Sequence, residues 1–272
     1  MQTAVLRDVR DKMSDRKASG QKSAAETAGM TAGSEKTVLA DTVPEKTVPQ
    51  GAGAGRPWIL RDRMFSEKHM YAFVENYTNG GDAPQSAAAL PYARQMHMGQ
   101  YRAGEGRIPY IYHPLMMACH ALALGFNEDE IIAAALLHDV LEDCTRPDGS
   151  PVTAADLPDA VGDNVRAAVQ LVTKPDVLHR EADPDWEQKY YGRISLNRLA
   201  VIVKILDRCS NISTMTTGFS RGKMVRYITE TEKYVLPLID ILKTTYRDTC
   251  YNQAFLLKYQ MKSILEGLKR VL

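Results

Sequence analysis

Four ionisable groups fall within six positions at the end of an aliphatic run: His138-Asp139 and then Glu142-Asp143, directly after Ile131-Ile132-Ala133-Ala134-Ala135-Leu136-Leu137. A lone buried carboxylate costs several kcal/mol unless it is paired or bound to a cation, so a cluster placed there needs a partner. Helical spacing puts His138 one turn from Glu142 and Asp139 one turn from Asp143, fanning the four groups around the helix's last turn. An isolated His-Asp dipeptide is more often a satisfied core histidine beside a solvated helix end, but two further signals reverse that reading. Tyr110-Ile111-Tyr112-His113-Pro114 sets a histidine at the start of a neighbouring helix, and Lys204-Ile205-Leu206-Asp207-Arg208 sets an aspartate at the end of another apolar run. His113, His138, Asp139 and Asp207 together suit one divalent ion. Imidazole and carboxylate without thiolate favour Mn²⁺, Fe²⁺ or Zn²⁺ over Ca²⁺, and an octahedral ion held by those groups keeps positions open for water or substrate. Such an ion polarises a phosphoryl oxygen and acidifies its water, and Glu142 and Asp143 are placed to take the proton or hold the water. Asn211, one turn past Asp207, points its amide into the same cavity.

The elements that must position these groups read as helices, since no segment sustains the alternation of a half-buried strand. Apolar spacing predicts helices over 64–79 and 84–101, parted by Asn79-Gly80-Gly81-Asp82. A third runs from His113, with Pro114 in its first turn, to Leu124 before the stop at Gly125. The fourth opens on Asn127 as N-cap with Glu130 as its capping-box partner and continues through Leu141, apolar almost all round and therefore central. Residues 144–151 form a loop, and helices resume over 153–172, 185–214 and 220–272, the last interrupted at Pro237. Leu199 to Leu206 has the composition of a buried strand, but its length and the polar i,i+4 spacing after it favour helix.

Charge and composition exclude several classes. The 34 basic and 33 acidic side chains nearly cancel, which argues against nucleic acid as partner. No apolar run reaches membrane-spanning length, and the first thirty residues carry charges where a secretion signal needs an apolar core, so neither membrane insertion nor export is expected. The four cysteines form no CxxC pair and fit a reducing cytoplasm. Residues 1–55 lack Phe, Tyr and Trp and end in Gly51-Ala52-Gly53-Ala54-Gly55, the composition of a disordered tail; seven acids among them argue against a transit peptide. The expectation is an all-α protein with one helical domain over 56–272.

Four words of the sequence narrow this further: His97-Met98-Gly99-Gln100-Tyr101-Arg102, Pro109-Tyr110-Ile111-Tyr112-His113-Pro114, Ala134-Ala135-Leu136-Leu137-His138-Asp139-Val140-Leu141-Glu142-Asp143 and Lys204-Ile205-Leu206-Asp207-Arg208-Cys209-Ser210-Asn211. In this order they resemble the HD-superfamily hydrolase domain of the RelA/SpoT homologues, over roughly residues 64–245. The resemblance implies a helical bundle that hydrolyses the 3′-pyrophosphate of (p)ppGpp, giving GDP or GTP and pyrophosphate, usually with Mn²⁺. It implies His113, His138, Asp139 and Asp207 as metal ligands and Glu142 and Asp143 as the pair that activates or orients water. Arg102 matches the arginine that packs on guanine, while Lys204, Asn211 and Thr214 match polar positions of the nucleotide site. The chain ends at Leu272, so the expected form is a small stand-alone hydrolase, with a homo-oligomer and a cognate toxic synthetase as conceivable partners. Ala103 and Ser213 depart from the family pattern: Ala103 stands where relatives usually place a basic or polar residue, and Ser213 where many have arginine. These departures leave open ppApp or another 3′-phosphorylated nucleotide as substrate, and Arg221, Lys223 and Arg226 stand where they could compensate.

Overall fold

The computed structural model describes residues 63–103 and 107–272, and the expected tail over 1–55 lies outside them. Among the described residues the architecture is helical, the extended backbone being limited to two isolated bridges, Tyr101 with Pro109 and Thr145 with Pro151. In chain order the α-helices are α1 (Glu67–Gly80), α2 (Pro84–Met96), α3 (Tyr112–Ala123), α4 (Asp129–Leu137), the single turn α5 (Val140–Asp143), α6 (Asp163–Val172), α7 (Val177–Ala182), α8 (Trp186–Ile194), α9 (Arg198–Thr214), α10 (Arg221–Glu230), α11 (Leu236–Thr245) and α12 (Arg247–Val271).

Two helices form the centre. Every residue from Ile131 to Leu137 on α4 is fully buried, and α9 is buried continuously from Leu199 to Ser210. The small side chains Ala133, Ala134 and Ala135 leave room for neighbours on every side, and α4 packs against α2, α3, α6 and α9. The strand-like run Leu199–Leu206 is thus a helix surrounded by other helices, started by Asn197, whose side chain accepts from the Ala200 N–H at 2.9 Å.

Several boundaries differ from expectation, each for a tertiary reason. The capping box on Asn127 is not formed: α4 starts at Asp129, whose carboxylate accepts from the N–H groups of Gln85 and Ser86 (2.9 and 2.8 Å) and so caps α2 instead. Helix α2 stops at Met96, short of Tyr101, because the chain turns through Gly99 at φ +82°. Gln100 to Arg102 then pairs antiparallel with Ile108 to Tyr110, through Arg102 N–H to Ile108 O and Tyr110 N–H to Gln100 O, both 2.9 Å. The fourth helix does not run to Leu141 but breaks at His138-Asp139 and resumes as α5. The stretch 153–172 is a 3₁₀ turn and α6, and the carbonyls of the intervening segment are gathered by the Arg166 guanidinium, which donates to Leu157, Pro158 and Val161. The break over 174–184 contains α7, and 185–214 divides into α8 and α9 at Leu196. Ahead of Pro237 the chain forms a π-turn, Thr231–Val235, and a further break falls at Tyr246.

Candidate active site

His113 sits in the first turn of α3, His138-Asp139 at the bend between α4 and α5, and Asp207 midway along α9, so three elements deliver the four expected metal ligands to one place. Ligand atoms of His113, His138 and Asp139 lie within 4.8 Å of one another. The two Nε2 atoms are 3.2 Å apart; Asp139 Oδ2 is 2.9 Å from that of His138 and 3.7 Å from that of His113. Asp207 joins through its Oδ1, 3.3 Å from His113 Nε2. His138 Nδ1 donates to Ala135 O at 2.9 Å, which leaves its Nε2 lone pair facing the cluster. Ser210 Oγ, 3.0 Å from His113 Nδ1, takes that ring's hydrogen when its Nε2 serves as a ligand.

Buried lone pairs and carboxylate oxygens packed this closely call for positive charge among them. Burial pushes His113 down to about 4, so this ring stays neutral near pH 7. For His138 burial is likewise the largest single influence and lowers it, but the Asp139 and Asp207 carboxylates and the Ala135 carbonyl together raise it. Asp139 is lowered in turn, His138 overcoming burial, and Asp207 is held well below the carboxylate range by Lys204 against the same opposition. Two imidazole nitrogens with carboxylate oxygens are a donor set that fits Mn²⁺, Fe²⁺ or Zn²⁺.

The two acids of α5 part company. Asp143 Oδ2 lies 2.6 Å from the Tyr110 hydroxyl, which also reaches Asp139 Oδ2 at 2.8 Å, so Asp143 is connected to the ligand cluster. Burial raises the Tyr110 hydroxyl out of the physiological range, keeping its hydrogen, and burial also raises the Asp143 carboxyl. Glu142 instead turns to Lys174, accepting from its backbone N–H at 3.1 Å and facing its ammonium at 3.5 Å.

A pocket of about 190 Å³ opens beside His113, lined by Arg102, Ala103, Ile108, Asn211, Thr214 and Phe219 among others. Arg102 donates to Asn211 Oδ1 at 2.7 Å, and Asn211 donates to Asp207 Oδ1 at 2.5 Å, so a chain of hydrogen bonds joins pocket to ligand cluster. Lys223 reaches its rim with Nζ 3.8 Å above the Phe219 ring. Of the expected nucleotide contacts, Arg102, Asn211 and Thr214 line the pocket and Lys204 does not. Its side chain is 3% exposed, and its ammonium lies 2.9 Å from Asp207 Oδ2. Ser213 also turns away, donating to Cys209 O at 2.7 Å and lining a larger, mostly apolar cavity of about 750 Å³ that shares the Ser210 and Thr214 wall.

Sequence reasoning assigned no role to Tyr110, Lys174 or Ser210. Tyr110 precedes His113 by one helical turn and Ser210 follows Asp207 by one, so spacing carried a signal for both. Lys174 lies in a stretch read as a plain break and offered none.

The helical frame and its buried imidazole–carboxylate cluster define a protein that can hold a metal ion beside an open pocket. The chain belongs to the HD-domain family, whose model matches residues 89–233, a span that contains all four ligand candidates. It is similar to the bifunctional (p)ppGpp synthase/hydrolase SpoT of Escherichia coli (strain K12), 31% identical over 157 residues, covering 56% of this chain and 21% of that relative. It is likewise similar to the guanosine-3′,5′-bis(diphosphate) 3′-pyrophosphohydrolase of Haemophilus influenzae, 30% identical over 188 residues, covering 65% of this chain and 26% of the relative. The chain thus spans about a quarter or less of the length of these relatives. Among solved structures it is similar to a metazoan orthologue of SpoT described as hydrolysing ppGpp, with a TM-score of 0.52 at 19% identity over 67% of this chain and 94% of that one, a likeness of fold. No helix among the described residues is long and apolar enough to cross a membrane.

Proposed function

We propose that the protein hydrolyses the 3′-pyrophosphate of (p)ppGpp with Mn²⁺, yielding GDP or GTP and pyrophosphate. The observation that supports this most is the convergence of two buried Nε2 atoms, 3.2 Å apart, with the Asp139 and Asp207 carboxylates beside a pocket edged by an arginine. His113, His138, Asp139 and Asp207 would hold the ion, which when bound would acidify a water and offset charge on the phosphoryl group. Water adds to the phosphorus attached to the 3′ oxygen, the P–O3′ bond breaks to release pyrophosphate, and the 3′ oxygen takes up a proton from solvent, balancing the one drawn from the attacking water, to leave as a hydroxyl. Asp143 takes the proton from the attacking water, while Glu142, steadied by Lys174, orients that water from the other side of α5. The Arg102 guanidinium, hydrogen-bonded to Asn211, offers its plane to the base, and Thr214 supplies a hydroxyl on the same wall. Lys204 balances the Asp207 charge from within the core. The same reading takes residues 56–272 as one catalytic domain working in the cytoplasm.

A second reading is hydrolysis of another 3′-phosphorylated nucleotide such as ppApp, including service as antitoxin to an alarmone synthetase. It is favoured by Ala103, which puts a methyl group in the pocket wall where relatives often carry a basic or polar residue. The test is the purified chain with Mn²⁺ against ppGpp, pppGpp and ppApp, the nucleotide products being separated, with Asp139→Ala as control. Pyrophosphate release from a guanosine alarmone, absent in the control, bears out the first reading. Turnover of ppApp alone selects the second, and no turnover of the three by metal-loaded protein rejects the first and points to other 3′-phosphorylated nucleotides.

A further inference from the structure

Tyr110 touches both halves of the candidate site. Its single hydroxyl lies 2.8 Å from Asp139 Oδ2 and 2.6 Å from Asp143 Oδ2, tying a ligand candidate to the carboxylate assigned to the water. Asp143 as a whole residue is exposed at the end of a one-turn helix, while its carboxyl is partly buried where it meets Tyr110, the side chain that fixes its direction. Asp139, at the bend before that helix, carries a like charge, and two carboxylates so close repel unless a donor stands between them.

The tyrosine is itself fixed, and by the same segment that it holds. Its ring stacks on His97 with centroids 4.8 Å apart and planes at 23°, and it meets the His113 ring edge-on at 6.3 Å. His97 is 2% exposed, and its Nδ1 lies 2.7 Å from Gln100 Oε1. The Gln100 amide donates to the Asp143 carbonyl at 2.8 Å, and the Tyr110 N–H donates to Gln100 O at 2.9 Å. The circuit closes: Asp143 main chain, Gln100, His97, Tyr110, Asp143 side chain. A donor mounted this rigidly imposes a direction on its acceptors, whereas a water in its place would leave both carboxylates loose.

We propose that Tyr110 is a positioning residue which clamps Asp139 and Asp143 into one mutual orientation, so that the ion and the proton acceptor face the same water. The proposal rests on the roles given to these two aspartates above. Tyr110→Phe tests it, because the phenyl ring keeps the stack on His97 and the contact with His113 and loses only the hydroxyl. Removing an outer partner of a metal ligand costs roughly 10- to 100-fold in activity or metal affinity. The expected result is a fall in kcat of about that size with KM for the nucleotide within about twofold, an unchanged melting temperature without metal, and Mn²⁺ affinity, read from the free-ion signal by electron paramagnetic resonance, weakened about 10-fold. At saturating Mn²⁺, where the weaker hold on the ion through Asp139 no longer limits the rate, Tyr110 acts through Asp143, and the loss in the Tyr110→Phe, Asp143→Asn double variant should match that of Asp143→Asn alone within about twofold. Fully additive losses, or a Tyr110→Phe protein with wild-type kcat, overturn the clamp. The Mn²⁺ titration separates the clamp from the hydrolase reading. If the wild type turns over no alarmone while Tyr110→Phe still binds Mn²⁺ more weakly, the substrate assignment fails and the clamp on Asp139 stands. Equal Mn²⁺ affinity in the two proteins, or no Mn²⁺ binding by either, sinks the clamp.

Discussion

The rings of His113 and His138 confront each other at 71° with their Nε2 atoms 3.2 Å apart, each supported from behind, one by Ser210 and the other by the Ala135 carbonyl. Nitrogens fixed this way are paid for by the fold before any ion arrives, so ion binding should return that energy as stability. At 100 times its dissociation constant an ion adds about 2.7 kcal/mol to the folded state, which raises the melting temperature of a domain this size by about 5 to 10 °C. The wild type should show that rise on titration with Mn²⁺, and His138→Ala should show none. An equal rise in the variant would take His138 out of the ligand set.

Lys204 separates a role in binding substrate from a role in holding a ligand. Its ammonium is buried against Asp207, and the Tyr190 ring centroid is 5.5 Å away. Lys204→Met leaves the Asp207 carboxylate buried without its partner, a loss of about 3 to 5 kcal/mol for a pair of this kind. Thermal melts of the metal-free variant should fall accordingly and recover in part with Mn²⁺, while kinetics should show kcat lowered and KM nearly unchanged. A raised KM with kcat intact would return Lys204 to the nucleotide.

What the sequence disclosed, and what it hid, follows from how local each cause is. His113, His138, Asp139 and Asp207 were legible because each is a polar group at the border of an apolar helical run, a position with a cost that demands explanation. The failed cap at Asn127 was not, because Asp129 is committed to the start of α2, forty-odd residues back in the chain. The pairing of Gln100–Arg102 with Ile108–Tyr110 is too short to display an alternating pattern, yet it sets Arg102 and Tyr110 beside the cluster. The divergence of Glu142 from Asp143 needed the bend at His138-Asp139 and the arrival of Lys174 from elsewhere.

Arg208 stabilises the fold without touching the cluster. Its side chain has no solvent exposure, donates to Glu230 Oε1 at 2.6 Å and to the Tyr191 hydroxyl at 2.9 Å, and lies 3.8 Å from the Tyr227 ring centroid. Arg208→Met should cost about 3 kcal/mol, or about 6 to 12 °C in melting temperature, with Mn²⁺ affinity kept. Glu230 is partly buried, and against that burial Arg208, with help from Tyr191 and Lys204, holds its carboxyl below the usual value. A carboxyl lowered in the folded state stabilises above its unfolded value, about 4.3, and that contribution disappears as pH falls through the folded one. Melts of wild type and Glu230→Gln should therefore differ fully near pH 6 and draw together as the pH falls below about 4; a constant gap would mean that Glu230 acts by shape alone.

The two departures from the family pattern are not equivalent. Six residues along a helix correspond to a turn of about 600°, which leaves Ser213 about 120° away from Asp207, while Asn211 and Thr214 stay within about 40° of it. Ser213 accordingly faces the larger apolar cavity, and Ala103 alone of the two lines the pocket beside His113. A basic side chain restored at Ala103 gains phosphate or base contacts, whereas one placed at Ser213 meets Met70, Phe73 and Cys209. Ala103→Lys should lower KM for ppGpp severalfold with kcat little changed and shift the ratio of ppGpp to ppApp turnover. Ser213→Arg should lower the melting temperature, by putting a charge among apolar groups, with no gain in nucleotide affinity. Were Ser213→Arg the variant that tightens ppGpp binding, the base would have to enter through the larger cavity, with Thr214 and Ser210 as its threshold.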